Sequence, residues 1–271
     1  MDGPATSALA APASGRVPDP AAPLAVHWLG RVPYREAWDL QKRLAAARAA
    51  GAIGDQLLLL EHPAVLTLGR QADESHVLAP APLLAGRGIE LLRVERGGEV
   101  TYHGPGQLVA YPILHLADRE LLLRPYVRAL EVAMIATCAQ LGVAAGRRDG
   151  HPGCWVDPDG PRPRKIGALG IRVERGVAYH GIALNVDVEL GDFGLIDPCG
   201  MPGLASTSIA AELGRLDEPP TTARVAEAAR LFALALAREL GGPALDGTLP
   251  PDADPDAARA ALDRLPAVPV A

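Results

Sequence analysis

Two side chains in this sequence have the type and the setting for covalent chemistry. Cys199 lies in Ile196-Asp197-Pro198-Cys199-Gly200, where a proline and a glycine bracket the thiol in a rigid turn and present it at a loop rather than on a packed face. Lys165 follows an Arg-rich loop. Of 26 basic residues only Lys42 and Lys165 are lysine, so a plain surface cation at position 165 is expected to be arginine. What lysine offers and arginine does not is an amine that can lose its proton inside a protein. Period-two alternation along Lys165 to Glu174 puts Lys165 in phase with Gly167, Leu169, Ile171 and Val173, an apolar face that partly desolvates the amine and makes it a better base. Such a pair performs acyl transfer. The amine takes the thiol proton, the thiolate attacks a thioester, the acyl group rests on sulfur, and an incoming amine resolves it. The exchange joins species of similar energy and needs no ATP, which leaves positioning and oxyanion stabilisation to the protein. The plain alternatives are that Cys199 fills a loop and that Lys165 survives by chance. Sequence alone does not bring the two together; a hairpin and a returning loop would have to.

The second chemical feature is Arg96-Gly97-Gly98-Glu99-Val100-Thr101-Tyr102-His103-Gly104-Pro105-Gly106-Gln107, dense in Gly and Pro between strand-like runs Ile89 to Val94 and Leu108 to Leu114. Glycine here lets a ligand approach the main chain closely, so the stretch reads as a ligand-binding loop. His103 belongs to it and is read as facing the ligand; His180, before Gly181 in a later strand, is balanced between a ligand role and a structural one.

These residues need elements to hold them. Leu24 to Leu29 reads as a strand and Tyr34 to Ala49 as an amphipathic helix stopped by Gly51. Four consecutive leucines in Gln56 to Glu61 predict a strand buried on both faces, followed by Val65 to Leu68. Pro112 within Leu108 to Leu114 predicts an edge or a bulge there. Pro125 to Leu141 is a second helix, with Cys138 on its apolar face as a core thiol. Lys165 to Glu174 and Val177 to Val186 form a hairpin about Arg175-Gly176. Ser206, Thr207 and Ser208 offer caps for a short helix, and Thr221 or Thr222 caps a last amphipathic helix ending at Gly241. The expected class is α/β (α+β), with a mixed, largely antiparallel sheet flanked by helices. Residues 1–22 and 243–271, rich in Ala and Pro, are expected to be disordered tails around one catalytic domain spanning 23–242.

Composition sets limits. In 271 residues, 49% hydrophobic content is ample for a core, and no apolar run approaches a membrane span or a signal peptide, so a soluble, cytoplasmic protein with no membrane association is expected. A net charge of −6 argues against nucleic acid as partner. The three cysteines form neither Cys-x-x-Cys nor a Cys/His array, so neither a disulfide framework nor a metal site is expected.

The glycine-rich stretch followed by Tyr111-Pro112 resembles the signature of lipoyl(octanoyl) transferases. Further blocks agree in the same order: Glu61-His62-Pro63 with Leu68-Gly69-Arg70, Pro152 to Val156, Lys165 to Gly170 with His180 to Val186, and Asp197 to Gly200. The resemblance implies the fold of biotin protein ligases and lipoate ligases and a requirement for no cofactor. It implies octanoyl (or lipoyl) transfer from acyl carrier protein to a lysine of apo lipoyl domains, those of 2-oxoacid dehydrogenases and of glycine cleavage H protein. Cys199 then matches the acyl-thioester nucleophile and Lys165 its base. The acyl-binding positions are Arg96, Gly97, Gly98, Glu99, Val100, Thr101, Tyr102 and His103, then Ala168, Leu169 and Gly170, then Gly181, Ile182 and Ala183. Cys154 and Gly167 depart from the pattern, each conservatively in volume. An ATP-dependent ligase of the same fold and a lipoyl-domain amidotransferase are the alternatives, and a non-catalytic lipoyl-domain binding module is a third; a ligase needs no nucleophilic cysteine. Docking of an acidic carrier is expected at the arginines at 147, 148, 162 and 164.

Overall fold

The computed structural model describes residues 18–197, 205–218, 220–242, 245–250 and 252–266. The chain opens with β1 (Leu24–Arg31), α1 (Tyr34–Ala49) and β2 (Asp55–Glu61), then β3 (Val65–Leu68), α2 (Ala81–Gly86), β4 (Glu90–Arg93) and β5 (Val100–His103). After the glycine loop come β6 (Gln107–His115), α3 (Leu123–Gln140), β7 (Gly146–Arg148), β8 (His151–Val156), β9 (Arg164–Glu174) and β10 (Val177–Asn185). The remainder is β11 (Ala205–Ser206), α4 (Ile209–Glu212), α5 (Thr222–Glu239), β12 (Leu245–Asp246) and α6 (Pro255–Asp263).

Among the described residues the main sheet runs β12-β1-β2-β6-β10-β9-β8-β7, with β11 also on β9. The pairs β12–β1, β1–β2 and β11–β9 are parallel and the others antiparallel, which makes the sheet mixed and largely antiparallel. A second sheet, β4-β3-β5, carries the glycine loop on its last strand. The four leucines of β2 show why both faces must be covered. Leu57 and Leu59 enter a core beneath α3 and α5, with Tyr126, Leu130, Met134 and Phe232, while Leu58 and Leu60 enter a core beneath α1 and α6, with Ala37, Leu44 and Leu262. Each leucine is fully buried, worth on the order of 2 kcal/mol apiece. The helices are capped where the sequence offers caps: Ser208 Oγ accepts the Ala211 N–H at 3.1 Å, and Thr221 Oγ1 the Arg224 N–H at 3.3 Å.

Three expectations are corrected. Pro112 lies at neither an edge nor a bulge of β6. That strand is central, Pro112 is opposite Leu57 of β2, and on the other side the ladder to β10 runs in one register but is interrupted between Ala178↔Leu114 and Ile182↔Ala110. The donor that proline lacks therefore faces a gap in the ladder. The segment after 242 is not a tail: β12 extends the sheet at β1, and α6 seats Leu262 in the core with 1% exposure. Residues before 23 are tied down as far as they are described, for Arg119 donates to Pro20 O at 3.0 Å and to Ala22 O at 2.8 Å. Among the described residues no helix is long and apolar enough to cross a membrane.

Candidate active site

The main sheet and the glycine loop meet in a half-open cleft of about 840 Å³, the space at its mouth included. Its walls are the loop and β5 on one side and β9 and β10 on the other. The close approach is made by glycines: the Gly97 N–H donates to Ile171 O at 3.0 Å, and a Cβ on Gly170 would stand 2.8 Å from Gly97 O. Gly181 likewise has no room for a Cβ, because the carbonyl of Ala110 and, at 2.8 Å, Cδ of Pro112 occupy it. Of the expected acyl-binding positions, Arg96, Gly98 to Thr101, His103, Ala168 to Gly170 and Gly181 to Ala183 line the cleft. Gly97 and Tyr102 do not: Tyr102 is 1% exposed and its hydroxyl donates to Asp192 Oδ2 at 2.7 Å. Arg96 spends much of its guanidinium on the protein, donating to Thr67 O at 2.6 Å and Gly97 O at 3.0 Å, and so clamps the loop to β3.

Lys165 also lines the cleft, though not by the alternation expected for it. The β8–β9 register pairs Trp155 with Lys165 and Cys154 with Gly167, skipping Ile166. Ile166 is fully buried in the core beneath α3, and a Cβ on Gly167 would point into that same core, 2.7 Å from Met134 Sδ and 3.1 Å from Cys154 Cβ. Two successive positions on one face are the mark of a bulge, and it turns Lys165 to the opposite face. There the ammonium sits 4.9 Å from the centroid of the Trp155 ring, a cation–π contact. Met134 Sδ occupies the space that a Cβ on Gly167 would take. β11 pairs with β9 so that Ser206 is opposite Lys165, and the Thr207 N–H donates to Lys165 O at 2.9 Å. Cys199 lies outside the described residues.

Tyr34, Tyr111, Gln107, Asn185 and Ser206, which are not among the expected acyl-binding positions, also line the cleft. A signal was available for two of them. Gln107 and Asn185 are amides at the ends of otherwise apolar strands and are opposite each other in the β6–β10 register. Tyr34 stacks on His103 with centroids 5.7 Å apart, and Tyr111 donates its hydroxyl to His62 Nε2 at 2.8 Å. His180 is 1% exposed and takes a left-handed backbone, φ 57°, for which a non-glycine residue is strained. Its N–H goes to Gln41 Oε1 of α1 at 2.9 Å, across the ladder gap at Pro112. The arginines expected to dock a carrier are partly neutralised: Arg147 pairs with Glu131 at 3.2 Å and Arg164 with Glu212 at 2.8 Å.

Burial holds the histidines in and beside the cleft below their usual pKa. His62 donates Nδ1–H to Val32 O at 2.7 Å, and burial pushes its pKa down to about 4. Burial also lowers His180. An unfolded chain takes up these protons near pH 6.5 while the fold refuses them, so stability is full above that pH and is lost as the pH falls toward 4. For His62 alone this amounts to about 3 kcal/mol. Thermal melts should show a falling Tm between pH 6.5 and 4.5, and a flat Tm over that interval would contradict the burial of uncharged imidazoles.

The mixed sheet with helices on both faces has its structural neighbours among lipoate ligases. The structure superposes on the bi-partite lipoate protein ligase of Thermoplasma acidophilum with TM-score 0.60 at 14% identity, over 90% of this chain and 92% of that one. It superposes equally on ATP-bound lipoate-protein ligase A, with TM-score 0.60 at 15% identity over 90% and 94%. At such identities the likeness speaks for the fold. In sequence, residues 33–231 match the lipoyl protein ligase A/B catalytic domain family, and the chain belongs to it. Its relatives there are octanoyltransferases. It is 48% identical over 205 residues to that of Chloroflexus aurantiacus, covering 75% of this chain and 89% of the relative, and 50% identical over 196 residues to that of Mycolicibacterium gilvum, covering 71% and 78%. The chain is accordingly an acyltransferase of protein lipoylation, acting in octanoyl transfer.

Proposed function

We propose that the protein takes octanoyl from the thioester of acyl carrier protein onto Cys199 and passes it, in the cytoplasm and without ATP, to a lysine of the apo lipoyl domains of 2-oxoacid dehydrogenases and glycine cleavage H protein. Lys165, as the neutral amine, accepts the Cys199 proton; the thiolate bonds the acyl carbon, and the carrier sulfur leaves with the electron pair and takes that proton from Lys165. In the second step the neutral amine of the acceptor bonds the same carbon, the carbon–sulfur bond breaks, and the proton lost by nitrogen returns to the Cys199 sulfur through Lys165. The acyl chain lies along Ala168 to Gly170 and Gly181 to Ala183, facing the glycine loop. The observation that carries the reading is the β9 bulge, which turns the one lysine of the cleft wall into the cleft, with the strand that follows the Cys199 segment paired against it.

The test is incubation with octanoyl carrier protein in the absence of ATP, followed by intact mass of enzyme and lipoyl domain. An octanoyl increment on both is expected. An increment on the lipoyl domain only when octanoate and ATP are supplied would instead make the protein a ligase.

A further inference from the structure

His103, Gln107 and Asn185 form a ladder of side-chain hydrogen bonds along the cleft wall, and its direction is set by two backbone carbonyls, that of Thr207 at the Asn185 end and that of Tyr102 at Gln107. The carbonyl of Thr207 accepts only, so the Asn185 group facing it at 2.9 Å is the amide nitrogen. Asn185 Oδ1 therefore faces Gln107 at 2.9 Å, and Gln107 must present its nitrogen there; the same nitrogen donates to Tyr102 O at 3.2 Å. That leaves Gln107 Oε1 toward His103 Nδ1 at 2.7 Å, and an oxygen acceptor requires that Nδ1 carry the proton. The lone pair of the uncharged ring is on Nε2. The ring is held in place by Tyr34, stacked at 5.7 Å, and by the edge of His62, also at 5.7 Å. Burial first, then the nearby His62, Arg96 and His180, push its pKa well below the usual histidine value, against the single raising influence of Gln107. The cleft thus carries a rigid, uncharged imidazole of one tautomer. Acyl-chain binding does not call for that, because an alkyl chain makes no use of a directed lone pair.

We propose that His103 is a catalytic residue of the second transfer step: Nε2 accepts one N–H of the acceptor lysine's neutral amine and so aims the nitrogen lone pair at the acyl-thioester carbon. Gln107 and Asn185 are positioning residues that hold the tautomer. His103 takes no proton, and the bonds made and broken are those of the second step above. The role rests on the acyl-thioester reading. It differs from a structural role because the first step brings a carrier thioester and no amine, so the loss of Nε2 strikes the two half-reactions unequally.

His103→Asn separates the possibilities, for the asparagine amide replaces Nδ1–H as donor to Gln107 while nothing replaces Nε2. Enzyme acylated by octanoyl carrier protein is mixed with lipoyl domain in single turnover. Transfer is expected to slow about 100-fold, the size of effect that lost orientation produces, while acylation slows several-fold at most and acyl-enzyme accumulates. Asn185→Ala, which frees the Gln107 amide to turn over, is expected to act in the same sense but more weakly. In the wild-type protein, the imidazole 15N shifts of His103 are expected to show a protonated Nδ1 and a bare Nε2. Transfer near the wild-type rate in His103→Asn, equal slowing of both half-reactions, or an Nε2–H tautomer would each overturn the assignment. Absence of any acyl-enzyme in the wild type would instead fault the acyl-thioester reading beneath it.

Discussion

Cys199→Ala is expected to abolish the octanoyl adduct on the enzyme and to lower turnover by at least about 1,000-fold, as loss of a covalent nucleophile does. The other two thiols cannot take over. Cys138 and Cys154 are both fully buried, with sulfurs 4.0 Å apart in the core beneath α3. The Cys154 thiol is pushed far above the ordinary range by its hydrogen bond with Cys138 and then by burial, so it supplies almost no thiolate. Intact mass after incubation with octanoyl carrier protein is decisive. An adduct persisting on Cys199→Ala, with peptide mapping to Cys138 or Cys154, would remove Cys199 from the mechanism.

The second large effect is expected of Lys165→Arg, which should fold normally and lose about 100-fold or more in turnover. The substitution keeps the positive charge and an aromatic contact. A guanidinium stacks on an aromatic ring as the ammonium now stacks on Trp155 at 4.9 Å, and the pairing to β8 and β11 is made by backbone. What it removes is the ability to take and return a proton. Unchanged Tm with collapsed turnover identifies proton transfer as the role. Near-normal turnover would mean that positive charge beside the thiolate is enough and that Lys165 is not the base.

Much of the architecture was legible in residue order because the signals are local. Helical spacing in Tyr34 to Ala49, the leucine run of β2 and the Arg175-Gly176 turn each specify an element within a few residues, and the structure has all three. The C-terminal segment was misread because composition measures how much apolar surface a segment owns and not whether a partner is waiting for it. Leu262 finds its partners in the core beneath α1, a helix over 200 positions earlier in the chain.

The lysine marks the boundary most clearly. Residue order identified Lys165 as chemically apart, since a chain that otherwise favours arginine kept an amine there. The direction in which that amine points was decided by tertiary structure, because alternation predicts a face only while a strand stays in register. Ile166 is drawn into the core under α3 beside Gly167, β9 bulges, and Lys165 turns toward the cleft. The same holds for His103: its place in the glycine loop could be read along the chain, but its tautomer depends on the carbonyl of Thr207, reached through two amides on different strands. Sequence determines which groups are available, and packing between distant segments determines their direction and protonation.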